Sequence, residues 1–576
     1  MLSVIAIWVY MLLTTFLAGY GISRAVAHYI PYRIRHLDAC LICGFAAVTV
    51  YAQIFSLFGG VGLAANLLLC VLCAFAAWRC RQELGLMLRE TWGNIWSGQP
   101  GERGKVFAIL FLFLLFAYGT SRGIIHYDTG LYHAQSIRWI EEYGVVKGLG
   151  NLHCRLAYNS ASFALSALYS MAFLGGQSFH CCAGFLALIL ACVCLKVIDS
   201  LRRRVLRTSD FARVMGIYYL VIIFDEMVSP ASDYFMVLTA FYIIIRWLDL
   251  LEEGVRETAP YGLLCVLGVF LMTVKLSAAL ILLLVIYPAY DLLKKKRWQE
   301  IGIYLLLGIT TALPYFIRNF LLSGWLVYPF TQIDLFRVAW KIPKGMADYD
   351  AKEIQVWGRG YTDVTRYDIS MSEWMPDWFH ALPGSDRVLV AAAVMSIGIL
   401  FVYGIGMLCG FWRRRMDILL VQTAVSGSFL FWLCTSPMIR YGCVYVYLVP
   451  AVVLGGVYDA IVNDGECNEQ TGEMVKRGWK RIIKLCGAVA VSLVLLYKAA
   501  ALGKEIIHSY VNDYWVLQKD YENYETLSYE ASDITFYYPV QGDQTGYEAF
   551  PSAPTKTEAV LMGTELEDGF MAGNNE

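Results

Sequence analysis

The chain has 576 residues, of which 58% are hydrophobic and only 16% are charged. Soluble proteins usually carry about a quarter of charged residues, so this composition excludes an ordinary soluble protein. The 46 Lys and Arg residues nearly balance the 47 Asp and Glu residues. This balance removes the basic excess that is expected of a nucleic-acid-binding protein.

Apolar runs recur from end to end, and about 14 of them are long enough to cross the hydrocarbon core of a bilayer. The fold class is therefore predicted to be an all-α polytopic membrane protein. We predict membrane spans at 3–20, 39–57, 61–78, 105–121, 179–199, 211–227, 234–250, 260–274, 277–292, 300–317, 387–411, 417–434, 441–461 and 482–501.

Clusters of Lys and Arg predict the orientation, because such residues are retained on the cytoplasmic side. The clusters lie at 24–35, 79–105, 202–207, 294–297, 413–415 and 476–481. Strict alternation places all of them on one face, provided that segment 160–176 does not cross. We therefore expect a multi-pass protein of the cell (plasma) membrane with both termini extracytoplasmic.

Segment 160–176 contains ASFALSALYSMAFLGG and is apolar enough to span. Counting it as a span would move the later basic loops outside, so we predict an interfacial or re-entrant helix against the outer leaflet. The outer loops are then about 122–178 and 318–386. A transmembrane domain of residues 1–502 precedes an outer-face tail, 503–576, which looks like a small cap or a partly disordered segment.

The first outer loop begins with a cluster of polar residues around Asp128. Residues 129–143 form an amphipathic helix if wound at about 3.6 residues per turn, and such a helix lies along a membrane surface. Arg138, Glu141 and Glu142 fall on its polar side, which we expect to face solvent. An aspartate before a helix is typical of a plain helix N-terminus, so Asp128 is either a capping residue or a functional carboxylate.

Other ionisable residues are predicted to lie at the outer face. Such groups cost several kcal/mol at membrane depth unless they are paired or face a cavity, which makes them functional candidates. A lysine can also snorkel, and arginines commonly flank helix ends. The candidates are Asp225, Glu226 and Asp233 in FDEMVSPASDYF, Lys275 in FLMTVKLSAALILL, Arg318 and Asn319 at the start of RNFLLSGWLVYPF, and Arg440 in TSPMIRYG.

The order of these features resembles the GT-C superfamily of membrane glycosyltransferases, which includes protein O-mannosyltransferases and the aminoarabinose transferase of lipid A. YDTGLYHAQSIRW follows an early span, and FDEMVSPASD, TVKLSA and SPMIRYG follow in the order that the superfamily shows. The runs HYDTGLYH, WIEEYGVVKGLGNLH, YNSASF and RNFLLSGWLVYPF are similar to an uncharacterised bacterial membrane family assigned to this superfamily. The resemblance covers roughly residues 105–450.

The resemblance implies a GT-C-like bundle and an inverting enzyme. Such an enzyme transfers a sugar from a polyprenyl-phosphate donor to a glycan, lipid or protein acceptor on the extracytoplasmic face. The activity would serve cell-envelope glycan assembly or modification. The catalytic carboxylate of the first outer loop maps onto Asp128. Many members carry Asp-Glu there, whereas this chain has Asp-Thr, so a second carboxylate would have to come from Asp225, Glu226 or Asp233.

Two further groups of site residues are predicted. Cations near a lipid headgroup suit a phosphate, with Arg as a bidentate fork and Lys as a point charge. Lys275, Arg318 and Arg440 are the candidates for this role. Four residues are predicted to lie near the acceptor or sugar: Tyr127, His133, Arg138 and Asn319. The aromatic loop 331–386 suits either a sugar acceptor or an interfacial belt.

No cofactor is expected, because fixed cations could replace a metal at a monophosphate donor. As an alternative, His126, His133 and His153 could hold a divalent ion together with Asp128. Two other functions fit parts of the same pattern. A polysaccharide polymerase or ligase shares the polyprenyl substrate and the outer-face site. A transporter or flippase of lipid-linked sugars also buries charges but should show inverted repeats, and no convincing repeat is visible.

Overall fold

A computed structural model of the chain describes residues 1–34, 36–96, 100–409, 416–462, 496–507 and 513–573. Helices dominate these residues. The α-helices are α1 Leu2–Val26, α2 Leu37–Ser56, α3 Leu63–Arg79, α4 Arg81–Trp96, α5 Pro100–Ser121, α6 Ala134–Glu142, α7 Ala161–Tyr169, α8 Cys182–Cys194, α9 Lys196–Arg203, α10 Thr208–Ile222, α11 Ser232–Glu252, α12 Thr258–Val274, α13 Ile286–Lys294, α14 Trp298–Ser323, α15 Lys344–Gly358, α16 Met371–Ala381, α17 Gly384–Leu408, α18 Met416–Thr435 and α19 Ile439–Val462. The strands are β1 Thr526–Ala531, β2 Ile534–Pro539, β3 Val560–Leu561 and β4 Phe570–Met571.

Ten helices in the described residues are long and apolar enough to cross a membrane, or 11 if the bent pair α3 and α4 counts as one span. The prediction of a helical multi-pass membrane protein is confirmed. Two of the other predicted spans form helices α10 and α12, of 15 and 17 residues. Helix α12 is at the short end of the range for a membrane span, and α10 is slightly shorter than that range. Most of the predicted span 482–501 and the basic clusters 413–415 and 476–481 lie outside the described residues.

Helix α11 lies at the centre of the bundle. Every residue from Asp233 to Asp249 is buried, and α8, α10, α12 and α19 all pack against this helix. A helix that is enclosed on all sides reads as uniformly apolar. Its two ends nevertheless carry charged residues, so those charges lie inside protein and need partners.

Helices α6 and α7 of the first outer loop pack mainly against protein, so neither presents an apolar face to lipid as an interfacial helix would. All nine residues of α7 are buried, and this helix packs against α2 and α6. Its Ala and Ser residues allow the close approach of neighbouring helices that small side chains permit in membrane proteins. The expectation that 160–176 forms no separate span is consistent with this short helix.

The described part of the tail forms a cap on the first outer loop. Strands β1 and β2 pair in antiparallel fashion, and Ser532 and Asp533 between them both have positive φ, as a tight two-residue hairpin turn requires. The amide of Lys519 donates to Ser121 O at 2.7 Å, and the amide of Phe570 donates to Lys147 O at 2.9 Å. The tail therefore lies at the same end of the bundle as the loop that follows α5.

A cluster of buried ion pairs lies near the start of α10 and the end of α11. Arg213 pairs with Asp210 at 3.0 Å and with Asp249. Arg246 pairs with the same Asp249 at 3.1 Å and with Asp38 of α2 at 3.6 Å. Charges inside a membrane protein persist when they pair in this way. The cluster joins α2, α10 and α11 through ion pairs. Its residues are distant in sequence from those of the first outer loop.

Candidate functional site

The loop that carries Asp128 is fixed by the connection before α11. The amide of Ile124 donates to Asp225 O at 2.7 Å. Gly123 has a φ of +115°, and a Cβ on it would lie 2.2 Å from the same oxygen, so this crossing requires glycine. Residues Thr129–His133 then form a π-helical turn ahead of α6. The predicted α-helix over 129–143 therefore begins with a wider turn, a feature that is frequent at functional sites.

Asp128 pairs with Arg440 at the start of α19. The distance from Asp128 Oδ2 to Arg440 Nη1 is 3.0 Å, and the two side chains are 12% and 27% exposed. Arg440 Nη1 also lies 2.8 Å from His126 Nε2, and the amide of Asp128 lies 3.1 Å from His126 Nδ1. A neutral imidazole has a single acceptor nitrogen, so its tautomer decides which of these two groups it accepts from. Within the described part of the chain, Oδ1 of Asp128 makes no hydrogen bond.

A second ion pair lies beside the first. Lys275 Nζ pairs with Asp233 at the start of α11, and the two side chains are 21% and 12% exposed. Lys275 follows the last residue of α12 in an extended conformation, which directs the chain away from the helix axis. Its Nζ lies 4.1 Å from the ring centre of Tyr441, and Cζ of Arg440 lies 5.1 Å from the same ring centre. The ring of Tyr441 therefore lies close to the cation of each ion pair.

Two histidines border these ion pairs. Burial lowers the pKa of His126, and the charge of Arg440 lowers it further, against the opposing carboxylates of Asp128 and Asp233. Burial likewise lowers the pKa of His133 well below its usual range. His133 Nδ1 lies 3.2 Å from Thr129 Oγ1. Both imidazoles are therefore neutral near pH 7 and leave the charge of the site to Lys, Arg and Asp.

The proposed metal ligands do not converge. Among the residues that the structure describes, no group of three or more His, Cys, Asp and Glu side chains could hold a metal ion. His126 and Asp128 instead contact Arg440. His153 is buried, which lowers its pKa to about 3, and it belongs to no such group.

Arg318 lies in an adjoining buried position. Its side chain donates to Asn159 Oδ1 at 3.0 Å and to the hydroxyl of Ser56, and the residue is only 2% exposed. No ion pair involves Arg318 among the described residues. The neighbouring Ser160 hydroxyl donates to Val274 O at 2.9 Å, next to Lys275 in the chain. The 159–160 turn therefore connects Arg318 to the Lys275 pair, and Arg318 brings an uncompensated positive charge.

The structure separates the three candidates for the second carboxylate. Asp233 lies in the site with Lys275. Asp225 pairs with Arg122 at 2.7 Å, and Glu226 accepts from the hydroxyl of Tyr234 at 2.5 Å. Asp233 is thus the only one of the three whose partner is a candidate site cation.

The residues predicted near the acceptor fall in different places. Tyr127 is 55% exposed, and its hydroxyl donates to Asp543 of the cap. Asn319 is buried and donates to Leu326 O at 3.1 Å, which stabilises the turn after α14. Arg138 donates to Tyr547 O at 2.8 Å, and its Cζ lies 4.6 Å from the ring centre of Phe550.

The polar side of α6 is therefore covered by the cap, and the expectation that it faces solvent is wrong for Arg138 and Glu141. Glu141 accepts from Ser178 at 2.7 Å and from Tyr547 at 2.5 Å. Burial raises its pKa to about 7. Glu142 is exposed, as expected. The pattern of α6 was ambiguous because a polar helix face fits a polar protein surface as well as it fits water.

Sequence reasoning missed Tyr441 and Ser229, and it considered His126 only as a metal ligand. Ser229 lies 2.9 Å from Thr129 Oγ1 and 3.3 Å from the amide of His126, so it holds the loop of Asp128. The sequence signal that could have found two of them is their position next to predicted site residues. Tyr441 follows Arg440, and His126 precedes Asp128 by two positions.

Comparisons with known proteins locate these residues within one family. No curated protein and no solved structure matches the chain. Residues 1–447 match the family described as Domain of unknown function (DUF8201). This span contains both ion pairs and Tyr441 and ends before the cap. The chain therefore belongs to the family of this domain of unknown function, DUF8201.

Proposed function

We propose that the protein is a membrane glycosyltransferase with a GT-C-like bundle of about 14 spans. It transfers a sugar from a polyprenyl-phosphate donor to a glycan, lipid or protein acceptor. The observation that carries this proposal is the pairing of Asp128 with Arg440 and of Asp233 with Lys275 around one tyrosine ring. A carboxylate beside fixed cations at one end of a membrane bundle suits acid–base chemistry on a lipid phosphate.

The charge of the site supports a phosphodiester donor. Lys275 and Arg440 each pair with a carboxylate, whereas the buried Arg318 has no ion pair among the described residues, and both neighbouring histidines are neutral. A buried uncompensated charge is costly. A sugar joined to a lipid through one phosphate carries a single negative charge, which would balance the site. A diphosphate donor would bring one charge more.

The reaction uses Asp128 as the general base. Its free Oδ1 takes the proton of the acceptor hydroxyl as the hydroxyl oxygen bonds to the anomeric carbon. The bond from that carbon to the phosphate oxygen breaks, and its electron pair leaves with the lipid phosphate. Attack from the face opposite to the leaving group inverts the anomeric centre. Lys275, Arg318 and Arg440 stabilise the charge that develops on the phosphate.

We further propose that the site faces the extracytoplasmic side of the plasma membrane. The basic clusters of the sequence favour this orientation. The amide of Ser3 donates to Val516 O at 3.0 Å, and the cap covers the first outer loop. The beginning of the chain and the cap are thus at one end of the bundle, as the proposed location of both termini requires. On the extracytoplasmic side, the enzyme would act in cell-envelope glycan assembly or modification.

The test is a transfer assay with membranes that contain the full chain and labelled polyprenyl-phosphate sugars. Asp128→Asn should abolish transfer while membrane insertion is retained. The matched control is Asp533→Asn, because Asp533 is an exposed carboxylate in the turn between β1 and β2, where its positive φ also suits Asn, and its transfer rate should equal that of the wild type. Full activity of Asp128→Asn would contradict the proposal.

The products of the same assay separate the rival functions. A transferase adds one sugar per acceptor, whereas a polymerase or ligase builds or joins chains of repeats. A flippase moves the labelled lipid across a vesicle membrane without changing it. Translocation of intact donor in the absence of any transfer would therefore replace the proposal with the flippase.

A further inference from the structure

We propose that the cap segment 543–550 is a positioning element for the loop that carries Asp128. Asp543 and Gln544 are the two side chains through which it acts. The proposal rests on the proposed function for the role of Asp128. The cap lies beyond residues 1–447, which match the family, so this role belongs to a part of the chain outside that match.

The cap bonds to the residues on both sides of Asp128. Gln544 Nε2 donates to Tyr127 O at 2.8 Å, and the hydroxyl of Tyr127 donates to Asp543. On the other side, the carbonyl of Gly130 accepts from the amides of residues 545 and 546 at 3.0 and 2.9 Å. The cap thus fixes the backbone around Asp128 without occupying its carboxylate.

Gly130 shows how closely the cap approaches this loop. A Cβ on Gly130 would lie 2.6 Å from Tyr524 Oη and 2.8 Å from Gln544 Nε2. Both atoms are the ends of side chains, so a Cβ at this position would push the Tyr524 and Gln544 side chains away from the loop. The π-helical turn that contains Gly130 is a rare backbone form, and two hydrogen bonds from cap amides to the Gly130 carbonyl stabilise it.

The cap is anchored independently of that loop. Gln135 Nε2 donates to the carbonyls of residues 546 and 549 at 2.9 and 2.8 Å. The ring of Phe550 lies 4.8 Å from the ring of Trp139, centre to centre, and Tyr547 stacks on Tyr521 at 5.0 Å. Because α6 holds the cap in this way, the removal of the Asp543 and Gln544 side chains should loosen the Tyr127 side of the Asp128 loop, while the cap and its backbone bonds to Gly130 stay in place.

The experiment measures hydrogen exchange of the full chain in lipid nanodiscs, so it needs no substrate. In Asp543→Ala/Gln544→Ala, amides of residues 127–133 should exchange about tenfold faster, because both hydrogen bonds between Tyr127 and the cap are lost. Peptides of α11 should exchange as in the wild type. The single variant Asp543→Asn retains Gln544 and keeps an acceptor oxygen for Tyr127. Its amides at residues 127–133 should therefore exchange at nearly the wild-type rate.

Two further variants complete the test. Gly130→Ala should expose the same amides, because its Cβ displaces the Gln544 and Tyr524 side chains from the loop. Gly345→Ala is the matched control, since a Cβ there meets no atom within 4 Å. Unchanged exchange at 127–133 in the double alanine variant would overturn the proposal. Equal acceleration throughout the chain would also overturn it, because the cap would then serve only global stability.

Transfer kinetics supply the second readout. The double alanine variant should lose about tenfold or more in kcat, as a misplaced catalytic group does, while KM for a polyprenyl-phosphate sugar stays near the wild-type value. A tenfold rise in KM with an unchanged kcat would contradict a positioning role. If the wild-type protein transfers no sugar, the proposed function fails, but the exchange result still decides whether the cap restrains the loop.

Discussion

Arg440 contacts Asp128 at 3.0 Å and joins the last helix of the matched region to the first outer loop. The same guanidinium lies 2.8 Å from His126 and beside the ring of Tyr441. A guanidinium presents several donors in one plane and can bind more than one acceptor. Arg440 therefore contacts the loop of Asp128 and the ring of Tyr441 at the same time.

We expect Arg440→Gln to reduce sugar transfer about 100-fold, as removal of a single charge-stabilising donor does in other enzymes. It should also destabilise the fold by about 1–3 kcal/mol, because Asp128 loses its partner in a mostly buried position. Arg440→Lys should recover only part of the activity, since an ammonium cannot reproduce the planar fork. Transfer rates and thermal unfolding of the purified variants measure both effects.

A double-mutant cycle of Arg440→Gln with Asp128→Asn tests whether the two side chains act together. The cycle is measured as the free energy of unfolding, because Asp128→Asn leaves no transfer to measure. Residues in direct contact show non-additive effects, so the double variant should be no less stable than Arg440→Gln alone. Losses that simply add would show that the two side chains contribute independently.

The Lys275–Asp233 pair permits a test that separates folding from function. Lys275→Met should lower stability, because it leaves Asp233 as an uncompensated carboxylate. Addition of Asp233→Asn should restore much of that stability by removing the charge. Activity should remain low in the double variant, since the phosphate-binding cation is still absent. If both stability and transfer recover together, Lys275 serves only to neutralise Asp233.

The sequence predicts the membrane class well because long apolar runs and basic clusters act locally. It also singles out Asp128, Lys275 and Arg440, since an ionisable residue beside an apolar run is conspicuous. It cannot choose between Asp225 and Asp233, which lie in the same short connection. That choice depends on which cation each one meets, and Arg122 and Lys275 reach them from different helices.

The enclosed environment of α6 and α7 has no local signal. An amphipathic pattern predicts that a helix has two different environments, but it does not identify them. Here the polar side meets a cap formed by the end of the chain, and Arg138 satisfies the backbone carbonyl of Tyr547. The π-helical turn is likewise set by contacts from the cap and from Ser229. Such long-range contacts are absent from any short window of sequence.

The ion-pair cluster around Asp249 should be essential for stability. The side chains of Arg213 and Asp249 are 3% and 7% exposed, so Asp249→Asn leaves buried cations with too little opposing charge. We expect a loss of about 3–5 kcal/mol in the free energy of unfolding, measured by chemical denaturation in detergent. The control is Asp199→Asn, since Asp199 forms an exposed pair with Arg202 at 3.8 Å. Its effect should stay within about 0.5 kcal/mol, and equal effects of the two variants would contradict this role.

Glu141 should make the stability of the capped structure depend on pH. Its pKa is raised by burial from 4.5 to about 7, against the hydrogen bonds from Ser178 and Tyr547, which favour the charged form. The fold therefore prefers protonated Glu141. The stability that this preference contributes is complete below pH 4.5 and is lost as the pH rises through about 7. With about 1.4 kcal/mol for each pKa unit, the loss amounts to at most about 3.5 kcal/mol.

Glu141→Gln should remove this dependence, because the amide stays neutral at every pH. The melting temperature of the wild type should fall between pH 5 and pH 8, whereas that of Glu141→Gln should change much less. Glu142→Gln is the matched control on the same helix, since Glu142 is exposed, and it should retain the wild-type slope. A wild-type slope in Glu141→Gln would assign the pH dependence to other groups. A flat profile in the wild type would show that Glu141 is already ionised beneath the cap at pH 5.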